Sequence, residues 1–109
     1  MAYNNHIIEN NLTQSKDSKS FEGEVGSIME LHINVKEIIT NHDAGIQVIV
    51  QESDDNDLFS DFAMTRMYDS SDFHDVFVFK KQKPYHRFHF TVLGTNPSID
   101  IELTQEQIH

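Results

Sequence analysis

Three groups of side chains in this sequence have chemistry to offer: a run of carboxylates, seven histidines and a short basic segment. Between Glu52 and Asp75 stand Glu52, Asp54, Asp55, Asp57, Asp61, Asp69, Asp72 and Asp75, with Arg66 the only base. Oxygen-rich loops suit calcium, a hard cation. The spacing is not that of an EF-hand loop, because Phe59 stands where the next oxygen should be and no glycine follows. A calcium site at a sandwich edge over 52–57 stays open, and the plainer reading is a solvated turn built from residues that favour turns.

The histidines are His6, His32, His42, His74, His86, His89 and His109. Imidazoles ligate zinc and other transition metals. On a strand, however, His86 and His89 point to opposite faces and do not share a metal without a bulge. No metal and no other cofactor is expected. Cysteine is absent, so there is no thiolate nucleophile, disulfide or cysteine-held metal. Neither a Gly-x-Ser-x-Gly elbow nor a phosphate-cradling glycine loop occurs. Asp61 or Asp100 could belong to a carboxylate pair, but nothing marks an opposed partner. The expectation is a protein that is not an enzyme.

Half of the eight bases, Lys80, Lys81, Lys83 and Arg87, lie in one segment with Tyr85 among them. Basic residues interleaved with an aromatic can hold single-stranded nucleic acid. Yet 18 acidic residues against 8 basic ones give a net charge of −10, a poor field for phosphates. Docking of Lys80, Lys81, Lys83 and Tyr85 on an acidic protein surface is the better functional reading. A solvated turn beside an edge strand is the bland one. The separation of acidic loop and basic turn also permits head-to-tail contact between copies.

The elements that position these residues are strands. The 109 residues suffice for one domain with a modest core, and 38% are hydrophobic. No stretch approaches the ~18 apolar residues of a membrane span. Met1 to Asn10 lacks a basic region before an apolar run, so no secretory signal is expected. Leu31, Ile33 and Val35 alternate with polar residues in a strand over 28–39. A turn over 41–45 leads to a strand with Ile46, Val48 and Val50 on its core face. A strand over 58–66 has Phe59 and Phe62 out of phase. The run holding Phe73, Phe77 and Phe79 with Val76 and Val78 reads as buried on both sides for part of its length. Phe88, Phe90 and Val92 face inward on the next strand, and Ile99, Ile101 and Leu103 close the last. With a seventh strand over 20–25, turns recur every ~8–12 residues, the spacing of an all-β sandwich. The expected fold is an antiparallel β-sandwich over 21–109, jelly-roll or immunoglobulin-like. Residues 1–20 are polar and read as an extended N-terminal arm, with Tyr3, Ile7, Ile8 and Leu12 as its apolar anchors on a partner.

Two stretches carry a resemblance. Ile49-Val50-Gln51-Glu52-Ser53-Asp54-Asp55, followed by Phe59 and Asp61, resembles a strand end and acidic turn of small tailed-phage virion proteins. The stretch from Arg87 to Ile101, with Gly94-Thr95-Asn96-Pro97-Ser98 at its turn, is similar to the last hairpin of the same proteins. The likeness spans about Gly26 to Leu103 and departs from the pattern at Asp69–Asp75 and Lys80–Lys83. It implies a single β-sandwich that is part of a virion, on the capsid exterior or at the head–tail region. The expectation is therefore a capsid decoration protein located in the virion. It would dock on the major capsid protein or another virion protein, as a homo-oligomer, without binding nucleic acid or membrane. A carbohydrate-binding module for host attachment and a tail or head–tail connector subunit are the alternatives.

Overall fold

The computed structural model describes residues 4–39 and 43–109. Tyr3 and His42 lie outside the described residues. Eight strands follow in order: β1 Asn4–Leu12, β2 Lys16–Glu22, β3 Ile28–Ile39, β4 Gly45–Ser53, β5 Ser60–Met64, β6 Phe73–Lys80, β7 Tyr85–Leu93 and β8 Ser98–Gln107. They form two antiparallel four-stranded sheets, one in the order β1-β8-β3-β6 and the other β2-β7-β4-β5. Successive strands alternate between the sheets except at the β4–β5 hairpin, which is the double Greek key of a jelly roll. The order decides between the two sandwich types left open by the sequence. Short connections such as 13–15 and 94–97 carry the chain from sheet to sheet. They hold β1 over β2 and β8 over β7, so β5 and β6 share the opposite side of the sandwich.

Alternation explains the core. Met29, Leu31, Ile33 and Val35 of β3 and Ile99, Ile101 and Leu103 of β8 turn inward from the first sheet. Ile46, Val48 and Val50 of β4 meet them from the second, with Phe88 and Phe90 of β7. Each fully buried aliphatic or aromatic side chain contributes about 1.5–3 kcal/mol relative to exposure. Residues that tolerate a left-handed backbone stand where it is needed: Asn11 at the register shift within β1, and Asn56, Asp72 and Asn96 in connections, all with positive φ. At Gly94, φ is 119° and an added Cβ would lie 2.7 Å from Ala44 Cα, so only glycine fits.

Three expectations are corrected. Residues 1–20 are not a free arm: Asn4–Leu12 is β1, paired with β8, and β2 pairs with β7. An edge strand buries only alternate residues, so Ile7 opposite Leu103 and Leu12 opposite Ile99 suffice to seat β1. Second, β6 is an edge strand rather than one covered on both faces. Phe79 is buried and Phe73 and Phe77 pack against the core, while Val76 and Val78 stand outward. Third, β5 is shorter than 58–66. Its register with β4 jumps from Val50↔Ala63 to Gln51↔Asp61, leaving Phe62 as the bulged residue, which is why the aromatics run out of phase.

Candidate functional site

At the end of the sandwich where β6 leads into β7, polar side chains continue the inward alternation of four strands. Glu52 follows Val50, Lys81 follows Phe79, His86 precedes Phe88 and Gln105 follows Leu103, each two residues along the same face. All four are buried. His86 Nε2 lies 2.8 Å from Gln105 Oε1 and Nδ1 lies 2.7 Å from Lys81 Nζ. Because Gln105 Oε1 can only accept, the imidazole carries its proton on Nε2. Nδ1 then accepts from the lysine. Phe21 stacks on the imidazole at 5.3 Å between centroids, and Phe79 and Phe88 meet it edge-on. The chain thus ties the β8 sheet to the β7 sheet through the core.

Burial favours the neutral forms of both bases. It pulls Lys81 down to about 8, against the opposing pull of Glu52 and Glu22. It pulls His86 down to about 4, with the Lys81 charge pushing the same way. Gln105 Nε2 is buried without an acceptor among the described residues, a penalty of about 1–3 kcal/mol. Glu52 Oε2 accepts from the Gln82 and Lys83 amides at 2.8 and 3.2 Å, clamping the β6–β7 loop. The same loop is stitched to 23–27 by Lys81 N donating to Ser27 O and Gly26 N donating to Lys81 O, both at 2.8 Å. Every polar atom of His86 is spent inside the protein, so this cluster acts as a structural tie.

The expected docking residues do not form one surface. Ile7 and Leu12 are in the core. Ile8 is exposed on β1. Lys80 is exposed on β6, whereas Lys81 is only 1% exposed and cannot dock, because a position two beyond Phe79 points inward. Lys83 is half-buried and lies 3.6 Å from Asp54, and Tyr85 is half-buried on β7. In the acidic turn, Asp55 is engaged by the turn itself. Asp55 Oδ1 accepts from Ser53 Oγ at 2.8 Å, Asp57 N at 3.0 Å and Leu58 N at 3.1 Å. These bonds, the Leu58 amide first, hold the Asp55 carboxyl below its usual range. Among the described residues no group of three or more His, Asp or Glu is placed to hold a metal ion.

The outer face of the β7 sheet carries a continuous polar row. Asp17 Oδ1 sits 2.6 Å from His89 Nδ1, and Arg87 Nε donates to Gln51 Oε1 at 2.8 Å. Gln51 Nε2 donates to Asp61 Oδ1 at 2.8 Å, while the Arg87 guanidinium lies 4.2 Å over the Phe59 ring. These groups satisfy one another. The side formed by β5 and β6 is different. Leu58, Phe62 and Met64 are exposed next to or on β5, and Val76 and Val78 remain 48% and 53% exposed on β6. They form two separate patches, Val76 and Val78 beside His32 and Glu30 on the outer face of one sheet and Met64 beside Ile49 on the outer face of the other, and exposed apolar groups of this kind mark protein contact.

His86, Gln105 and Glu52 were missing from the residues that sequence reasoning singled out. Their signal was present in the parity of the alternating runs they extend. No protein-family model matches this chain, and no curated protein matches its sequence.

Proposed function

We propose that this chain is a non-enzymatic structural protein that works by docking on other proteins. Its setting is the exterior of a tailed-phage capsid, where it serves as a decoration protein. The observation that carries the docking reading is the exposure of Val76 and Val78 on the outer face of β6, with Leu58, Phe62 and Met64 exposed at and beside β5. These side chains are 40% to 79% exposed among the described residues, and their burial in a complex supplies about 25 cal/mol for each Å² removed from water. The jelly roll supports the reading as an architecture shared by viral capsid domains, an argument from fold alone. The virion setting itself rests on the sequence resemblance of 49–61 and 87–101.

Host attachment through a glycan has less support. The polar row of Asp17, Arg87, Gln51 and Asp61 is engaged with itself, and the Phe59 face is already covered by Arg87.

The test is made on density-banded particles of the phage that encodes the protein. The expected result is the chain present in fixed ratio to the major capsid protein, and released when Phe62, Met64, Val76 and Val78 are replaced by serine. Particles devoid of the chain would overturn the virion setting. Retention of the serine variant would overturn docking through these side chains.

A further inference from the structure

We infer that β6 is a self-docking edge: two copies of this chain pair antiparallel through Phe73–Lys80, with the two-fold axis at Val76. The inference rests on the docking reading and names the partner as a second copy. It starts from a difference among the four sheet edges. The pairing of β1 shifts register between Glu9 and Leu12, and that of β2 between Asp17 and Ser20. β5 is five residues long and shifts beside Val50 and Gln51. Breaks of this kind spoil an edge as a template for another strand. β6 has none: its register runs unbroken from Ile28↔Lys80 to Val35↔Phe73, and it contains no proline.

The backbone shows which groups face the free edge. Lys81 N donates across to Ser27 O, continuing the bonded pairs of β3 with odd-numbered residues. Val76 N donates instead to the Asp75 carboxylate at 2.9 Å, so the even-numbered residues within β6, from His74 to Lys80, turn their amides and carbonyls outward. A second β6 must therefore set even residues opposite even residues. Centring the pair on Phe77 places His74 against Lys80 of the other copy, and centring it on Val78 places Val76 against Lys80. Centring it on Val76 brings Lys80, at the end of the ladder, alongside the exposed turn residue Asp72 that precedes β6 in the second copy, twice by symmetry. Neither Lys80 nor Asp72 has a salt-bridge partner among the described residues. Charge complementarity thus selects the Val76 register. The two Val76 side chains meet on the axis, on the outer face of the joined sheet. The Val76 amide exchanges its bond to Asp75 for one to the second copy, and Asp75 keeps the Tyr68 hydroxyl at 2.8 Å.

The test is sedimentation of the full chain over a concentration series at about 0.15 M salt, where charges beyond about 8 Å are screened. The expected result is a monomer–dimer equilibrium that Val76→Lys with Val78→Lys abolishes and Lys80→Glu weakens several-fold, with circular dichroism unchanged. Val76→Cys is expected to form an intermolecular disulfide on mild oxidation, and Val78→Cys, opposite His74, is not. A wild-type chain that stays monomeric up to its solubility limit, or Val78→Cys cross-linking as fast as Val76→Cys, overturns the inference. A monomer that still occupies particles separates this failure from that of the docking reading. A dimer absent from particles does the reverse.

Discussion

Two regions of this sandwich invert the usual placement of side chains. Where β6 turns into β7, a lysine, a histidine, a glutamine and a glutamate are inside. Along the β5–β6 side, leucine, phenylalanine, methionine and valines are outside. The first region is closed: Lys81, His86 and Gln105 bond in sequence, and Glu52 fixes the loop above them. The second is open, since its apolar groups stay about half exposed or more among the described residues. Buried charge costs several kcal/mol per ion unless partnered, so the first region should respond strongly to loss of a partner. Exposed apolar area contributes almost nothing to the isolated fold, so the second should be silent in stability and visible in association.

The largest effect is expected from His86→Phe. The ring keeps the aromatic packing with Phe21, Phe79 and Phe88 but leaves the buried Lys81 ammonium without its acceptor. A loss of about 3–5 kcal/mol is expected in urea unfolding. Adding Lys81→Met should recover most of it, because an apolar pair of similar volume carries no desolvation penalty. If the double variant is as unstable as His86→Phe alone, the tie is packing rather than charge.

Acid should act on the same tie. The folded chain protonates His86 at about 4 against 6.5 for the ordinary side chain, so the unfolded chain takes the proton first as pH falls. Stability is intact above pH 6.5 and is lost progressively between 6.5 and 4, by about 3 kcal/mol. Lys81 acts in the alkaline range. Folded, it releases its proton at about 8 against 10.5, so its contribution rises with pH through that interval. Melting curves across pH 4–7 check the acid limb, and His86→Phe with Lys81→Met should flatten it. Glu52→Ala ranks next, at about 1–3 kcal/mol, because the Gln82 and Lys83 amides lose a charged acceptor. Hydrogen exchange at those two amides is the measurement, and unchanged protection would show that the loop is held elsewhere.

The sequence made the sandwich legible because β3, β4 and β8 are half-buried strands with strict alternation, as in Leu31, Ile33, Val35 and Ile99, Ile101, Leu103. It hid β1 because an edge strand needs few apolar residues. Asn and Glu between Ile7 and Leu12 read as a solvated arm. Strand order was illegible, since no local pattern records which strand lies beside which. Lys81 sits in a Lys-Lys-Gln-Lys run that composition assigns to solvent, yet counting by twos from Phe77 and Phe79 sends it inward. The same count from Val50, Phe88 and Leu103 reaches Glu52, His86 and Gln105. Parity, carried one step past the last apolar residue, held most of the buried site. The exposed valines were concealed for the opposite reason: Val76 and Val78 look like core until their strand is known to be an edge.

The smallest effect on stability sharpens the comparison most. Val76→Thr with Val78→Thr keeps β-branched shape on a strand, so the backbone preference is retained. Both side chains point away from the core, and Val76 pairs with His32 and Val78 with Glu30 across the sheet, where a hydroxyl is no intruder. Unfolding in urea is therefore expected to shift by no more than about 0.5 kcal/mol. Association should fall, because each added hydroxyl must be desolvated in a contact without a partner waiting for it. A destabilisation of more than about 2 kcal/mol would mean that these valines hold the fold and belong to the core rather than to a partner.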